Sequence, residues 1–125
     1  MPKILIVDDD ENVRTLVKEL LEARGYSVEC AEDGLQGLSR YNKERFDLLI
    51  LDHNMPHMSG TQLLETIRGM PEGKSQSILM LSSEKMLGPI YKSYELGIIE
   101  WIIKPFAIQT FLDKVIAHLN AIKAK

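Results

Sequence analysis

The chain has 125 residues, of which 45% are hydrophobic and 26% are charged, and its formal net charge is −3. This length is that of one domain, residues 1–125, and the mildly acidic balance argues against a nucleic-acid surface as its main feature. No apolar run approaches the length of a bilayer span, the opening run is too short for a signal peptide, and the lone Cys30 cannot form an internal disulfide. We therefore expect a soluble, cytoplasmic, single-domain protein.

Five short apolar runs alternate with segments of helical spacing. Four of the runs are nearly continuous and rich in Ile, Leu and Val, which is typical of strands buried on both faces of a parallel sheet. The predicted strands are Ile4–Val7, Val28–Cys30, Leu48–Leu51, Ile78–Leu81 and Trp101–Ile103. This alternation predicts a doubly wound α/β sheet, in which ligands bind beyond the carboxyl ends of the strands.

Start and stop signals delimit most of the predicted helices. The signals are Gly25 after the first helix, Asp33 with Gln36 at the start of the second, Ser59 with Gln62 at the start of the third, and Gly69 near its end. Because proline is tolerated only in the first turn of a helix, Pro89 predicts that the fourth helix begins late, near Pro89, and is short. The last helix is predicted from about Ile108 to Lys123.

Three successive carboxylates, Asp8, Asp9 and Asp10, follow the first predicted strand. Helix capping would account for one or two of them, because acidic groups are favourable near the positive end of a helix dipole. Three adjacent carboxylates repel one another, however, so a bound cation accounts for the set better. Carboxylate oxygens suit Mg²⁺ rather than Zn²⁺, and we therefore predict a magnesium site.

Asp52 closes the buried third strand. An unpaired carboxylate would be costly there, so Asp52 is expected to meet a cation or to lie at an open edge, with loop capping as the alternative. Pro56 and Gly60 predict that a loop follows Asp52. Since Pro56 also interrupts the helical face that a zinc-binding pair would need, His53 and His57 are interpreted as loop residues.

Polar residues also end the fourth and fifth predicted strands. Ser82 or Ser83 could cap a helix, and Lys104 precedes Pro105, whose peptide bond has a cis isomer available. A lysine in this position is often only solvated, but beside carboxylates it would serve as a cation for a phosphate group. Carboxylates, a hydroxyl and an ammonium at one rim suit phosphoryl chemistry, with one carboxylate as the nucleophile.

The sequence resembles the receiver (CheY-like) domain of bacterial two-component response regulators over essentially its whole length. Four motifs carry the resemblance, in the family's order and spacing: ILIVDDD, LLILDHNMPHMSG, ILMLSSE and IIKPF. The resemblance implies a flavodoxin-like (βα)5 fold with strand order 2-1-3-4-5. It further implies a phosphoacceptor signalling switch, which promotes only its own phosphorylation and dephosphorylation and is not a conventional enzyme.

The resemblance implies a role for each site residue. Asp52 would accept the phosphoryl group from the phosphohistidine of a histidine kinase or phosphotransfer protein, or from a small phosphodonor. Ser82 would donate its hydroxyl to the phosphoryl group, and Lys104 would pair with one of its oxygens. The implied Mg²⁺ ligands are Asp8, largely through water, Asp9, Asp52 and the backbone carbonyl of Asn54. No role is implied for Asp10.

Three further positions bear on switching. Trp101 stands where the family usually carries Tyr or Phe, and there the aromatic side chain moves inward as the hydroxyl residue turns toward the phosphate. Asn54 and Glu84 match the chemotaxis subgroup, and in the family these positions flank the path of the attacking water. We therefore expect a phosphoryl lifetime of seconds to minutes rather than hours. The alternative is that Glu84 only favours the start of the fourth helix.

In the family, partners bind a face built from the fourth helix, the fifth strand and the fifth helix. The proline at the start of the fourth helix puts the usual form of this face in doubt, and the segment after that helix is more apolar than is common. This region either forms an exposed patch that binds a partner or belongs to the core, and the core is favoured for Ile98 and Ile99. The residues concerned are Tyr91, Tyr94, Gly97–Glu100 and Trp101.

Two other functions are compatible with parts of this pattern. A small aspartate-nucleophile phosphohydrolase typically has a second Asp two residues after the nucleophile, and Asn54 in that position argues against it. A binding module of the same fold that is never phosphorylated is disfavoured because the acids and Lys104 are intact. The length leaves no room for an output domain, so we expect output through contact with another protein, without nucleic-acid binding or membrane insertion.

Overall fold

The fold is that of a computed structural model, which describes residues 1–83 and 87–123. Within these residues, strands and α-helices alternate as predicted. The strands are β1 (Lys3–Val7), β2 (Ser27–Ala31), β3 (Leu48–Asp52), β4 (Ile78–Ser82) and β5 (Glu100–Ile103). The helices are α1 (Glu11–Glu22), α2 (Gly34–Lys43), α3 (Gly60–Arg68), α4 (Leu87–Glu95) and α5 (Ile108–Lys123), with a short 3₁₀ turn at Pro71–Gly73.

The five strands form one parallel sheet in the order β2-β1-β3-β4-β5, which confirms the predicted doubly wound fold. Every residue of β3 and β4 is buried, as expected for central strands with helices on both faces. One core layer packs under α1 and α5, and the other packs under α2, α3 and α4. Among the described residues, no helix has the length and hydropathy needed to cross a bilayer.

The two predicted capping boxes differ in detail. Ser59 and Gln62 form a complete box at the start of α3, in which each side chain bonds the other residue's backbone N–H. At the start of α2, Asp33 accepts a bond from the backbone N–H of Gln36, but the Gln36 side chain accepts from the N–H of Glu32. Both helices therefore begin where the sequence predicts, because the N-cap bond is made in each.

Helix α4 begins two residues before its predicted start. It runs from Leu87 to Glu95, so Pro89 lies in its first turn, where a missing N–H removes no intrahelical bond. The short length of nine residues agrees with the prediction. Residues 84–86, which include Glu84, lie outside the described residues.

The apolar segment after α4 divides between core and surface. Ile98 is buried, and Ile99 is half-buried and packs against the α1–α5 core layer. The core interpretation is therefore right for Ile98. Tyr91 and Tyr94 on α4 are 60% and 46% exposed. These tyrosines are the exposed part of the apolar region.

Gly60 lies against the carboxyl end of β3, and its replacement tests that packing. A Cβ atom at Gly60 would lie 2.3 Å from the carbonyl oxygen of Asp52 and 2.9 Å from the Cα of His53. Because both are backbone atoms, Gly60→Ala is expected to lower the free energy of unfolding by about 2 kcal/mol or more, measured by urea denaturation. Gly88→Ala is the control, since a Cβ there meets nothing within 4 Å. Equal stability of the two variants would contradict this packing.

Candidate functional site

The predicted site residues meet at the carboxyl edge of the sheet. Asp8 follows β1, Asp52 ends β3, Ser82 ends β4 and Lys104 follows β5. Backbone hydrogen bonds continue the strand pairing at this edge: the N–H of Asp8 donates to Ala31, at 3.1 Å, and the N–H of Lys104 donates to Ser82, at 2.8 Å. Topology thus brings together residues that are up to 96 positions apart in the chain.

Three carboxylates form what we call the acid cluster: Asp8, Asp9 and Asp52. One oxygen of each lies within 4.8 Å of the other two. Asp8 is fully buried and Asp52 is 2% exposed, whereas Asp9 is exposed. A set of carboxylate oxygens open to solvent on one side suits a hard divalent cation such as Mg²⁺.

Lys104 is the cation that the structure places against the acid cluster. Its Nζ lies 2.9 Å from Oδ2 of Asp8 and 3.4 Å from Oδ1 of Asp52. Partial burial lowers the pKa of Lys104, but the bond to Asp8 and the charges of both carboxylates outweigh burial, so its pKa is raised. Lys104 therefore stays charged at neutral pH. The peptide bond between Lys104 and Pro105 is cis.

Asp52 is the acid whose proton affinity the site changes most clearly. Burial, and then the negative charge of Asp8, raise its pKa from 3.8 to about 7. The ammonium of Lys104 and a hydrogen bond from the backbone N–H of Asn54, at 3.2 Å, oppose this rise. Within residues 1–83 and 87–123, one lysine faces the three carboxylates, so this part of the chain leaves the cluster with surplus negative charge, which a divalent cation would offset.

The third residue of the acidic run has a different role from the other two. Asp10 is the N-cap of α1, where its side chain accepts a hydrogen bond of 2.8 Å from the N–H of Asn12. Helix capping is therefore confirmed for Asp10, and Asp8 and Asp9 lie in the acid cluster. Arg14, which the sequence pattern did not single out, donates from Nη1 to the backbone carbonyl of Asp8 at 2.7 Å and so fixes the turn after β1. Its position one turn into α1, beside the acidic run, was the available signal.

Ser82 lies at the site but bonds to a side chain that the sequence analysis did not connect to it. Its hydroxyl donates to Oδ1 of Asn54 at 2.9 Å, and the hydroxyl of Ser83 donates to the same oxygen at 3.3 Å. Asn54 was predicted to act through its backbone carbonyl and through its effect on dephosphorylation. The structure adds a side-chain link between the loop after β3 and the end of β4.

The two loop histidines have different surroundings. His57 is exposed and has a positive φ of 68°, which fits the predicted loop. His53 is half-buried: its Nδ1 lies 2.9 Å from the hydroxyl oxygen of Thr61, and its ring centroid lies 5.5 Å from that of Trp101. Trp101 itself is 8% exposed. The proposed switch aromatic is thus already inward while Ser82 bonds to Asn54.

Comparison with known proteins gives the family. The family profile described as response regulator receiver domain matches residues 4–116. The chain belongs to this family. CheY-3, a chemotaxis protein of Vibrio cholerae, is 39% identical over 121 residues, which cover 94% of this chain and 93% of that protein. The family resemblance that the four motifs carry is thereby confirmed.

Solved structures agree with this receiver domain in fold and extent. A CheY-like response regulator receiver domain protein from Methanospirillum hungatei superposes with a TM-score of 0.91, at 31% identity, covering 99% of this chain and 98% of that one. TrrA, a response regulator protein of Thermotoga maritima solved in complex with Mg²⁺ and BeF, superposes with a TM-score of 0.82 at 33% identity, covering 95% and 99% of the two chains.

Membership gives this receiver domain a general function. Receiver domains are phosphoacceptor switches of two-component signalling that typically bind Mg²⁺ at an acidic pocket. They interact with histidine kinases or phosphotransfer proteins and with downstream targets. The acid cluster of this chain lies at the sheet edge where such a pocket is expected.

Proposed function

We propose that this receiver domain accepts a phosphoryl group on Asp52, with Mg²⁺, and that the added charge changes its partner-binding surface. One observation carries the proposal. The buried Asp52 carboxylate has an oxygen within 4.8 Å of oxygens of Asp8 and Asp9, and it lies 3.4 Å from the ammonium of Lys104. A nucleophilic carboxylate beside a metal-binding set and a fixed cation is the arrangement that phosphoryl transfer needs. We propose a cytoplasmic location for this switch.

In the transfer step one bond to phosphorus forms and one bond to phosphorus breaks. An oxygen of the Asp52 carboxylate attacks the phosphorus of the donor and forms the new P–O bond. The bond from phosphorus to the donor's imidazole nitrogen, or to the acyl oxygen of a small phosphodonor, breaks, and its electron pair stays on that leaving nitrogen or oxygen. Asp8, Asp9, Asp52 and the carbonyl of Asn54 would hold Mg²⁺, which when bound neutralises charge between the carboxylate and the phosphoryl oxygens. Lys104 would pair with a phosphoryl oxygen.

Ser82 supplies the next step of the proposed switch. Its hydroxyl now donates to Oδ1 of Asn54, and it would exchange this acceptor for a phosphoryl oxygen once Asp52 is modified. The movement would reach the proposed partner face of α4, β5 and α5. These three elements carry several exposed large apolar side chains: Leu87, Tyr91, Tyr94, Ile103 and Ile108. A histidine kinase or phosphotransfer protein would be the donor, and the target would be another protein.

The experiment that tests this proposal also separates a switch from a phosphohydrolase. The chain is incubated with Mg²⁺ and acetyl phosphate, and intact mass is measured alongside release of inorganic phosphate. We expect the mass of one phosphoryl group per chain, no gain in EDTA, and no sustained hydrolysis of p-nitrophenyl phosphate. Many turnovers of such an ester would support a phosphohydrolase, and an unchanged mass in Mg²⁺ would contradict the switch.

A short phosphoryl lifetime is expected from Asn54 and Glu84. The wild-type acyl phosphate should decay within seconds to minutes, and Glu84→Ala should lengthen this lifetime several-fold, because in the family this position tunes dephosphorylation. Decay is followed as loss of the phosphoryl mass after the donor is removed. Glu95→Ala, on the exposed surface of α4, is the control and should leave the lifetime unchanged. A wild-type lifetime of many hours would count against this interpretation.

A further inference from the structure

Trp101 is held by contacts from two other elements. The ring of His53, in the loop after β3, lies 5.5 Å from the Trp101 ring at an interplanar angle of 49°. Its Nδ1 is paired with the hydroxyl of Thr61 in the first turn of α3, at 2.9 Å. The backbone N–H of Trp101 donates to the hydroxyl oxygen of Tyr94 on α4, at 3.1 Å. Both the ring and the backbone of Trp101 are therefore fixed.

The Thr61 hydroxyl orients the His53 ring. Thr61 is 9% exposed, so water competes little for its bond to Nδ1, and a hydrogen bond to one nitrogen restricts rotation of the imidazole about its axis. The His53 ring can then pack on the indole at one angle. His53 directly follows Asp52, so its contacts with Thr61 and Trp101 connect the loop after β3 to α3 and to β5. We call Thr61, His53 and Trp101 the aromatic brace.

We propose that the aromatic brace holds Trp101 inward before phosphorylation, so that Trp101 keeps its position when Asp52 is modified. Trp101 is inward in this structure although the Ser82 hydroxyl bonds to Asn54. Thr61 is a positioning residue that acts through His53, and Ser82 carries the conformational change. The part that concerns phosphorylated protein rests on the proposed function.

The brace is tested by the accessibility of Trp101, the only tryptophan in the chain. Acrylamide quenching of its fluorescence should be weak in the wild type and equal with and without Mg²⁺ and beryllofluoride. Thr61→Val keeps the shape of the side chain but removes the hydroxyl, and loss of one hydrogen bond shifts the ratio of inward to outward Trp101 by about five-fold. Its quenching should rise in the absence of ligands and fall when beryllofluoride binds.

Two further variants separate positioning from general loosening of the structure. Thr61→Ser restores the hydroxyl and should return quenching to the wild-type value. His53→Ala should raise quenching, and the double variant with Thr61→Val should be no higher than His53→Ala alone, because Thr61 acts through His53. Strong wild-type quenching that falls with beryllofluoride would overturn the brace, as would equal quenching of Thr61→Val and the wild type.

Binding of beryllofluoride is monitored separately by fluorine NMR, so that two kinds of failure are distinguishable. If no bound fluoride signal appears in the wild type, the proposed phosphoacceptor function fails. The comparison of variants without ligands still decides in that case whether Thr61 and His53 hold Trp101 inward.

Discussion

Asp52→Asn is expected to abolish phosphoryl acceptance. The substitution keeps the size of the side chain but replaces the nucleophilic carboxylate by an amide, which is far less nucleophilic. Intact mass after incubation with Mg²⁺ and acetyl phosphate should show no modified chain, where the wild type gains one phosphoryl group. The fold should survive because the buried position of Asp52, 2% exposed, then holds a neutral group.

Asp10→Asn is the matched control for this loss. Asp10 lies at the same rim, but its side chain caps α1, and asparagine caps a helix as well as aspartate does. This variant should accept a phosphoryl group to the same extent as the wild type. Equal labelling of Asp52→Asn and Asp10→Asn would overturn the assignment of the acceptor.

The second large expected effect is on how the free energy of unfolding depends on pH in the absence of Mg²⁺. The pKa of Asp52 is about 7 in the folded protein, above its ordinary value of 3.8, so the folded state binds more protons between these two values. Protonated Asp52 favours folding below pH 4, and this contribution is lost as pH rises through 7. Asp52→Asn has no carboxyl group to ionise in the folded protein, so its free energy of unfolding at pH 8 should exceed that of the wild type by about 4 kcal/mol.

Urea titrations in EDTA at pH 5 and pH 8 measure this difference. At pH 5 Asp52 is protonated in the folded protein but largely ionised in the unfolded chain, so a smaller difference between the two proteins is expected at pH 5 than at pH 8. At pH 8, added Mg²⁺ should stabilise the wild type more than Asp52→Asn, because a ligand that binds only the folded state adds to its stability. A wild type that is as stable as Asp52→Asn at pH 8 in EDTA would contradict the electrostatic account of the acid cluster.

The sequence predicts the parts of the site that depend on sheet topology. Continuous apolar runs mark the central strands, and in a parallel sheet the residues that follow these runs meet at one edge. The positions of Asp8, Asp52 and Lys104 follow from this rule alone, and the four family motifs add the role expected of each. The capping residue Ser59 is predicted from local pattern, whereas the strand order is implied by the family resemblance.

Side-chain contacts between loops could not be predicted in this way. The bond from Ser82 to Asn54 depends on rotamers, and a serine at a strand end has many acceptors within reach. The contacts of His53 with Thr61 and Trp101 join three elements, and no periodicity or spacing encodes them. Burial of Trp101 before phosphorylation also depends on packing from α3 and α4, which sequence patterns do not describe.

The most direct test of the central claim is to locate the phosphoryl group in the wild-type chain. After incubation with Mg²⁺ and acetyl phosphate, borohydride reduction converts an acyl phosphate to a stable alcohol, and fragmentation of the tryptic peptides Ile4–Arg14 and Phe46–Arg68 identifies the reduced residue. We predict reduction at Asp52 alone. Modification at Asp8 or Asp9, or a phosphohistidine at His53 within the same peptide, would contradict the account.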